Sequence, residues 1–134
     1  TARHSTTAGN PAWVYYFSRA RDDEGGRIMG AFHGAEYAYI FGTHDDYMTT
    51  NAVDEALTGA MQAYWVRFAA TGNPNADGLP DWPQFAAPVY PVQELGDAVR
   101  TIAAPEADLC RSFPGNRGVA SGELGQDVAD GDRS

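Results

Sequence analysis

Apolar residues are distributed along this chain in three different ways. Ala12-Trp13-Val14-Tyr15-Tyr16-Phe17 is an apolar and aromatic run without alternation, entered through Pro11. Such a run reads as a strand covered on both faces, the habit of a central parallel strand. From Asn51 to Ala70 the spacing is helical, and Leu57, Met61, Tyr64, Trp65 and Phe68 fall on one face. Asn51 or Thr50 is placed to cap the first turn, and Asp54 and Glu55 suit the positive end of the helix dipole. Gly72 and Pro74 follow in the order expected past a helix C-terminus. Tyr90 to Leu95 and Val99 to Ile102 are two short runs facing each other across Gly96-Asp97, which predicts a hairpin.

The segments between them are more polar. Residues 1–10 carry no apolar period, and Ser18 to Gly26 (SRARDDEGG) reads as a charged, glycine-ended loop. Glu36 to Phe41 predicts one or two turns of helix, and Thr43 to Thr50 a connector. Asn73 to Pro91 holds five prolines and reads as ordered coil anchored by Trp82 and Phe85. Pro105 to Phe113 is a short helix candidate. Residues 114–134 are rich in Gly, Asp and Ser and lack aromatics, the composition of a disordered tail. The expected organisation is one domain over residues 1–113 followed by that tail. The strand Trp13–Phe17 asks for neighbours that the chain hardly offers.

Composition narrows the class without choosing a function. Eighteen acidic residues against nine basic ones give a net charge of −9, which weighs against a nucleic-acid partner and against anionic membrane surfaces. No apolar run reaches the length of a membrane span, and no charged apolar leader opens the sequence. Hydrophobic residues make up 43% of the chain, enough for a packed core. Cys110 is the sole cysteine, so it forms no disulfide within these residues. A buried thiol and a bond to a cysteine elsewhere in a longer chain are both open.

The candidate chemistry lies in GAFHGAEYAYIFG, residues 30–42. His33 sits in a turn of small residues, with Gly30 and Ala31 before it and Gly34 after it. Gly34 allows positive φ, and small neighbours let an imidazole approach a nucleophile and a bound substrate. The loop would follow a buried strand, a common place for catalytic groups in open α/β sheets. From spacing alone, a hydrogen-bonded structural histidine stays open beside the catalytic base. A metal pair of His33 with Glu36, near His44, Asp45 and Asp46, is the weakest reading, because no second pair supports it.

The same residues resemble the catalytic-histidine segment of the type-B carboxylesterases, the cholinesterase-like branch of the α/β-hydrolase fold. PAWVYYFS, Pro11 to Ser18, resembles the strand that precedes it in the family. MQAYWVRFAATGNPN, Met61 to Asn75, resembles the family's late helix and its stop, and LPDWP, Leu79 to Pro83, the coil after it. These segments run in family order from about Pro11 to Phe113. The resemblance implies an α/β fold: a C-terminal part of an α/β-hydrolase, with an incomplete sheet, late strand, histidine loop, long late helix and small terminal hairpin.

For function it implies carboxylic ester hydrolysis by a Ser–Glu/Asp–His triad, with a small-molecule ester as substrate and no cofactor. His33 would take the serine proton and return it to the leaving alcohol. Glu36 would brace the loop by hydrogen bonding, and Met29 and Ala35 would line the alcohol side of the pocket. Family members that hold choline esters use large aromatics around this turn. Ala35 is small, so a general ester or carbamate fits the resemblance better. The sequence contains no G-x-S-x-G; the nearest match, Gly118-Val119-Ala120-Ser121-Gly122, has its serine one place late. The expectation is that the serine and the acid lie upstream of these residues, and that this polypeptide alone has no triad-dependent activity. A non-catalytic binding or adhesion relative is the alternative. Localisation and oligomeric state are open.

Overall fold

The computed structural model describes residues 2–44 and 48–103. In chain order the elements are α1 (Ala2–Thr7), β1 (Tyr15–Phe17), α2 (Glu24–Met29), α3 (Glu36–Phe41), α4 (Ala52–Thr71), β2 (Pro91–Leu95) and β3 (Val99–Ala103). The strands form one sheet in the order β1-β2-β3. β1 runs parallel to β2, with Tyr15 opposite Gln93 and Phe17 opposite Leu95. β2 and β3 are antiparallel, with Leu95 opposite Val99. The hairpin predicted across Gly96-Asp97 is therefore present. A parallel pair needs a long crossover, and everything from Ser18 to Tyr90 supplies it.

α4 anchors the crossover. Asn51 accepts from the backbone N–H groups of Val53 and Asp54, and the Asp54 carboxylate accepts from the Asn51 N–H in return. This reciprocal box satisfies donors that every helix leaves open at its start. Gly72 ends the helix at φ 74°, where its N–H reaches the carbonyl of Phe68. Leu57, Met61 and Tyr64 are buried and form the core with Tyr39, Trp82 and Leu95. Trp65 packs beside this core half-buried, while Phe68 stays 49% exposed.

The proline-rich coil is ordered by side chains. Asn75 receives the Trp82 N–H and donates its amide to the Trp82 carbonyl. The Trp82 indole N–H then reaches the carbonyl of Val14, and the Phe85 N–H that of Ala12. The coil thus runs along the residues that lead into β1.

Two expectations need correction. The unalternating run gives a strand only at Tyr15–Phe17, and Tyr15 and Tyr16 are 37% and 44% exposed. Before it, the Ala12 carbonyl accepts from the Phe85 N–H of the coil, and the Val14 carbonyl from the Trp82 indole and the Gln93 N–H of β2. The segment Ser18–Gly26 is not all loop: Asp23 caps α2, its carboxylate accepting from the Gly26 N–H at 2.6 Å. Gly26 has a packing reason to be glycine, since a Cβ there would lie 2.1 Å from the Arg21 carbonyl oxygen. The polar start also folds, as α1, where Thr6 and Thr7 return their hydroxyls to the Arg3 carbonyl. The helix candidate 105–113, Cys110 and the tail 114–134 lie outside the described residues. Among those described, no helix is long and apolar enough to cross a membrane.

Candidate active site

The turn that carries His33 lies between α2 and α3, after the carboxyl end of β1. Two glycines shape it. Gly30 closes α2 at φ 61°, with its N–H on the Gly26 carbonyl, and Gly34 adopts φ 88°. Both angles lie in the left-handed region, where a Cβ is strained. The Ala35 N–H bonds the Phe32 carbonyl at 3.0 Å and the Tyr37 N–H bonds that of Gly34 at 3.1 Å. The backbone is thus fixed while the His33 side chain is left at the surface. Among the described residues the His33 ring makes no hydrogen bond.

Glu36 opens α3 and is half-buried. Its carboxylate makes no hydrogen bond among the described residues, so no direct link to the His33 ring is formed there. Its charge is felt at β1: burial first, and the Glu36 carboxylate second, push the Tyr15 phenol above its usual value. Ala35 lines a small void of about 20 Å³ with Phe32, Gly30 and Tyr39. Met29, the last residue of α2, is 58% exposed and does not line that void. An apolar rim surrounds the turn, with Ile28 76%, Phe32 37%, Tyr37 56% and Phe41 68% exposed.

Beneath the turn lies a polar cluster that joins Arg19 and Asp22, expected in a charged loop, to Asp54 and Tyr39, expected on two separate helices. Arg19, just past β1, is 3% exposed, and Asp54 is completely buried. The guanidinium grips this carboxylate with Nε at 2.8 Å and Nη2 at 3.2 Å. It also donates to Asp97 from Nη1 and to Asp22 from Nη2. The Tyr39 hydroxyl donates to Asp54 at 2.7 Å. Burial works to raise the Asp54 carboxyl, but hydrogen bonds from Arg19, Tyr39 and the Asn51 backbone outweigh it and lower it to about 2. Burial, and then the hydrogen bond to Asp54, push the Tyr39 phenol up.

His44 joins the same region from the other side. Its Nε2 lies 2.8 Å from the Thr58 hydroxyl oxygen, and its ring meets Tyr39 edge-on at 4.8 Å. Thr58 spends its own proton on the Asp54 carbonyl at 2.7 Å. The hydroxyl must therefore accept from His44, which fixes the proton on Nε2. His44 is a structural tie in this arrangement; its sequence neighbours Asp45 and Asp46 lie outside the described residues. The signals that could have found the cluster were an arginine directly after an apolar strand and an aspartate at the third helical position. Neither reveals its partner, because the pair is 35 residues apart.

A parallel strand pair bridged by helices, with a histidine turn at the carboxyl end of a strand, defines a corner of an α/β-hydrolase. The description "Carboxylesterase family" matches residues 1–110, and the chain belongs to that family. It is 37% identical over 89 residues to the precursor of the medium-chain fatty acyl-CoA hydrolase of Anas platyrhynchos, covering 63% of this chain and 16% of that one. The chain thus spans about a sixth of the length of that relative. Among solved structures, it is similar to a carboxylesterase of Geobacillus stearothermophilus, at a TM-score of 0.67 and 24% identity, over 81% of this chain and 23% of that one. It is also similar to an esterase of Clostridium hathewayi described as able to hydrolyse aliphatic aromatic polyesters, at a TM-score of 0.71 and 19% identity, over 82% and 22% of the two chains. These likenesses show the α/β-hydrolase fold.

Proposed function

We propose that this chain supplies the histidine base of a serine carboxylic ester hydrolase whose nucleophile and acid stand in sequence outside these 134 residues. The observation that carries the reading is the presentation of His33. In a chain of the carboxylesterase family, a turn held by two positive-φ glycines fixes the backbone and leaves the imidazole at the surface, at the carboxyl end of β1. In that role the imidazole takes the proton from the serine hydroxyl as it attacks the ester carbonyl. It then gives the proton to the departing alkoxide, and water repeats the cycle on the acyl-enzyme. Glu36 stands in the first turn of α3, and the brace expected of it would need a hydrogen-bond partner beyond the described residues. Ala35 and Met29 face the alcohol part of a small-molecule ester, and the small Ala35 leaves room for a general ester or carbamate. No step calls for a cofactor.

The test is steady-state hydrolysis of p-nitrophenyl butyrate by the full-length protein that carries this segment. His33→Ala should lower kcat by on the order of 10⁴ or more with the fold retained. The 134-residue polypeptide alone should show no turnover that depends on His33. Wild-type rates in full-length His33→Ala would overturn the role of His33, and the absence of any esterase activity in the intact protein would overturn the reading in favour of a binding relative.

A further inference from the structure

The histidine loop leaves β1 at Arg19 and returns to the core at Tyr39, and both residues end on one carboxylate. Arg19 reaches Asp54 through two nitrogens, and Tyr39 reaches the same Oδ1 at 2.7 Å. Asp54 belongs to neither leg of the loop. It stands in the first turn of α4, locked there by the Asn51 box, so the anchor is part of the longest element in the structure. Arg19 is tied further to Asp97, in the turn between β2 and β3, and to Asp22. Asn51 also donates to Asp22.

An apolar contact could close the same loop, but it would not fix orientation. A forked guanidinium–carboxylate pair sets both distance and angle. Buried ion pairs of this kind contribute little net stability compared with apolar packing, so their retention calls for another reason. General-base catalysis supplies one, since the imidazole must be held within about 0.5 Å of its working position.

From this juxtaposition we infer that Asp54, Arg19 and Tyr39 form a clamp that positions His33 by pinning both ends of its loop to α4. They are positioning residues and touch no substrate. The inference rests on the reading of His33 as the base.

Its test uses the full-length protein and two conservative variants. Tyr39→Phe removes one hydrogen bond and keeps the ring that packs on Phe17 at 5.3 Å. Arg19→Lys keeps the charge and removes the fork. Hydrolysis of p-nitrophenyl butyrate is measured beside amide hydrogen exchange at Gly30, Ala35 and Tyr37, whose N–H groups are bonded within the turn. Both variants should lower kcat by about 10- to 100-fold with KM changed less than about twofold. Exchange at the three turn amides should quicken about tenfold, while that of Met61 and Tyr64 within α4 is unchanged. If Arg19→Lys does not fold, Tyr39→Phe decides. Unaltered exchange in the turn, or faster exchange with wild-type kcat, overturns the clamp. Activity that survives His33→Ala sinks the base and not the clamp's hold on the loop, which the exchange data report separately.

Discussion

Helix α4 and the turn around His33 are finished in different ways. At one end of α4 the Asn51 box satisfies the open N–H groups; at the other, Gly72 closes on Phe68. Met61 and Tyr64 on its inner face are completely buried. The turn has a fixed backbone but an unfinished surface. Its imidazole and the Glu36 carboxylate carry no hydrogen bond among the described residues, and the nearby Ile28, Met29 and Phe41 are each more than half exposed. The two regions meet where α3 packs on α4, with Tyr39 in one core with Leu57, Met61 and Tyr64, and in the cluster under the turn, where Asp54 of α4 holds Arg19 and Tyr39. Packing is thus concentrated in one region and exposed apolar and titratable side chains in the other, with a polar joint between them.

The broadest way to break this division is to mutate each side in the full-length protein. His33→Ala should abolish esterase turnover and leave stability within about 0.5 kcal/mol, because the side chain is exposed. Met61→Ala should do the reverse, costing about 2 to 5 kcal/mol in chemical unfolding while the folded enzyme keeps its kcat. Equal losses of stability from the two substitutions would erase the distinction.

The joint should be next in size. Arg19→Met leaves the Asp54 carboxylate buried without its cation, and denaturant unfolding should record a loss of about 3 to 5 kcal/mol. The pH dependence sharpens the same point. Asp54 titrates at about 2 in the fold against an ordinary value of 3.8. A depressed carboxyl stabilises the fold above its unfolded pKa and loses that contribution as pH falls through the folded one. Stability should therefore drop by on the order of 2 kcal/mol between pH 4 and pH 2, and Asp54→Asn should flatten that part of the profile.

A smaller loss of stability than at the joint should come from Gly34→Ala. At φ 88° the new Cβ would meet nothing closer than Tyr37 Cε2 at 3.8 Å. The cost is therefore backbone strain of about 1 to 2 kcal/mol. Because the strain falls beside the imidazole, kcat should fall tenfold or more, out of proportion to the stability lost. A proportionate loss would mean that the turn's shape does not set the histidine's position.

The two regions also differed in how far the sequence disclosed them. α4 was legible from end to end, because its cap, its apolar period and its glycine stop are all local signals. The hairpin was legible from Gly96-Asp97, and the histidine turn from Gly30 and Gly34. α2 was not, because EGGRIM holds two glycines, and its start depends on the Asp23 side chain reaching the Gly26 N–H. The joint was hidden for a different reason. Arg19 and Asp54 look like surface charges until tertiary contact brings them together, and the strand before the one and the helix start around the other do not reveal the partner. Trp13 and Val14 kept the apolar character expected of a strand, yet the Val14 carbonyl is shared between the Trp82 indole of the coil and the Gln93 N–H of β2.

The most direct measurement is a crystal structure of the full-length protein with its reactive serine labelled by an organophosphate. The account predicts His33 Nε2 within about 3 Å of the serine Oγ, with Arg19, Asp54 and Tyr39 joined beneath it. A labelled serine served by another histidine, with His33 facing solvent or apolar packing, would contradict it.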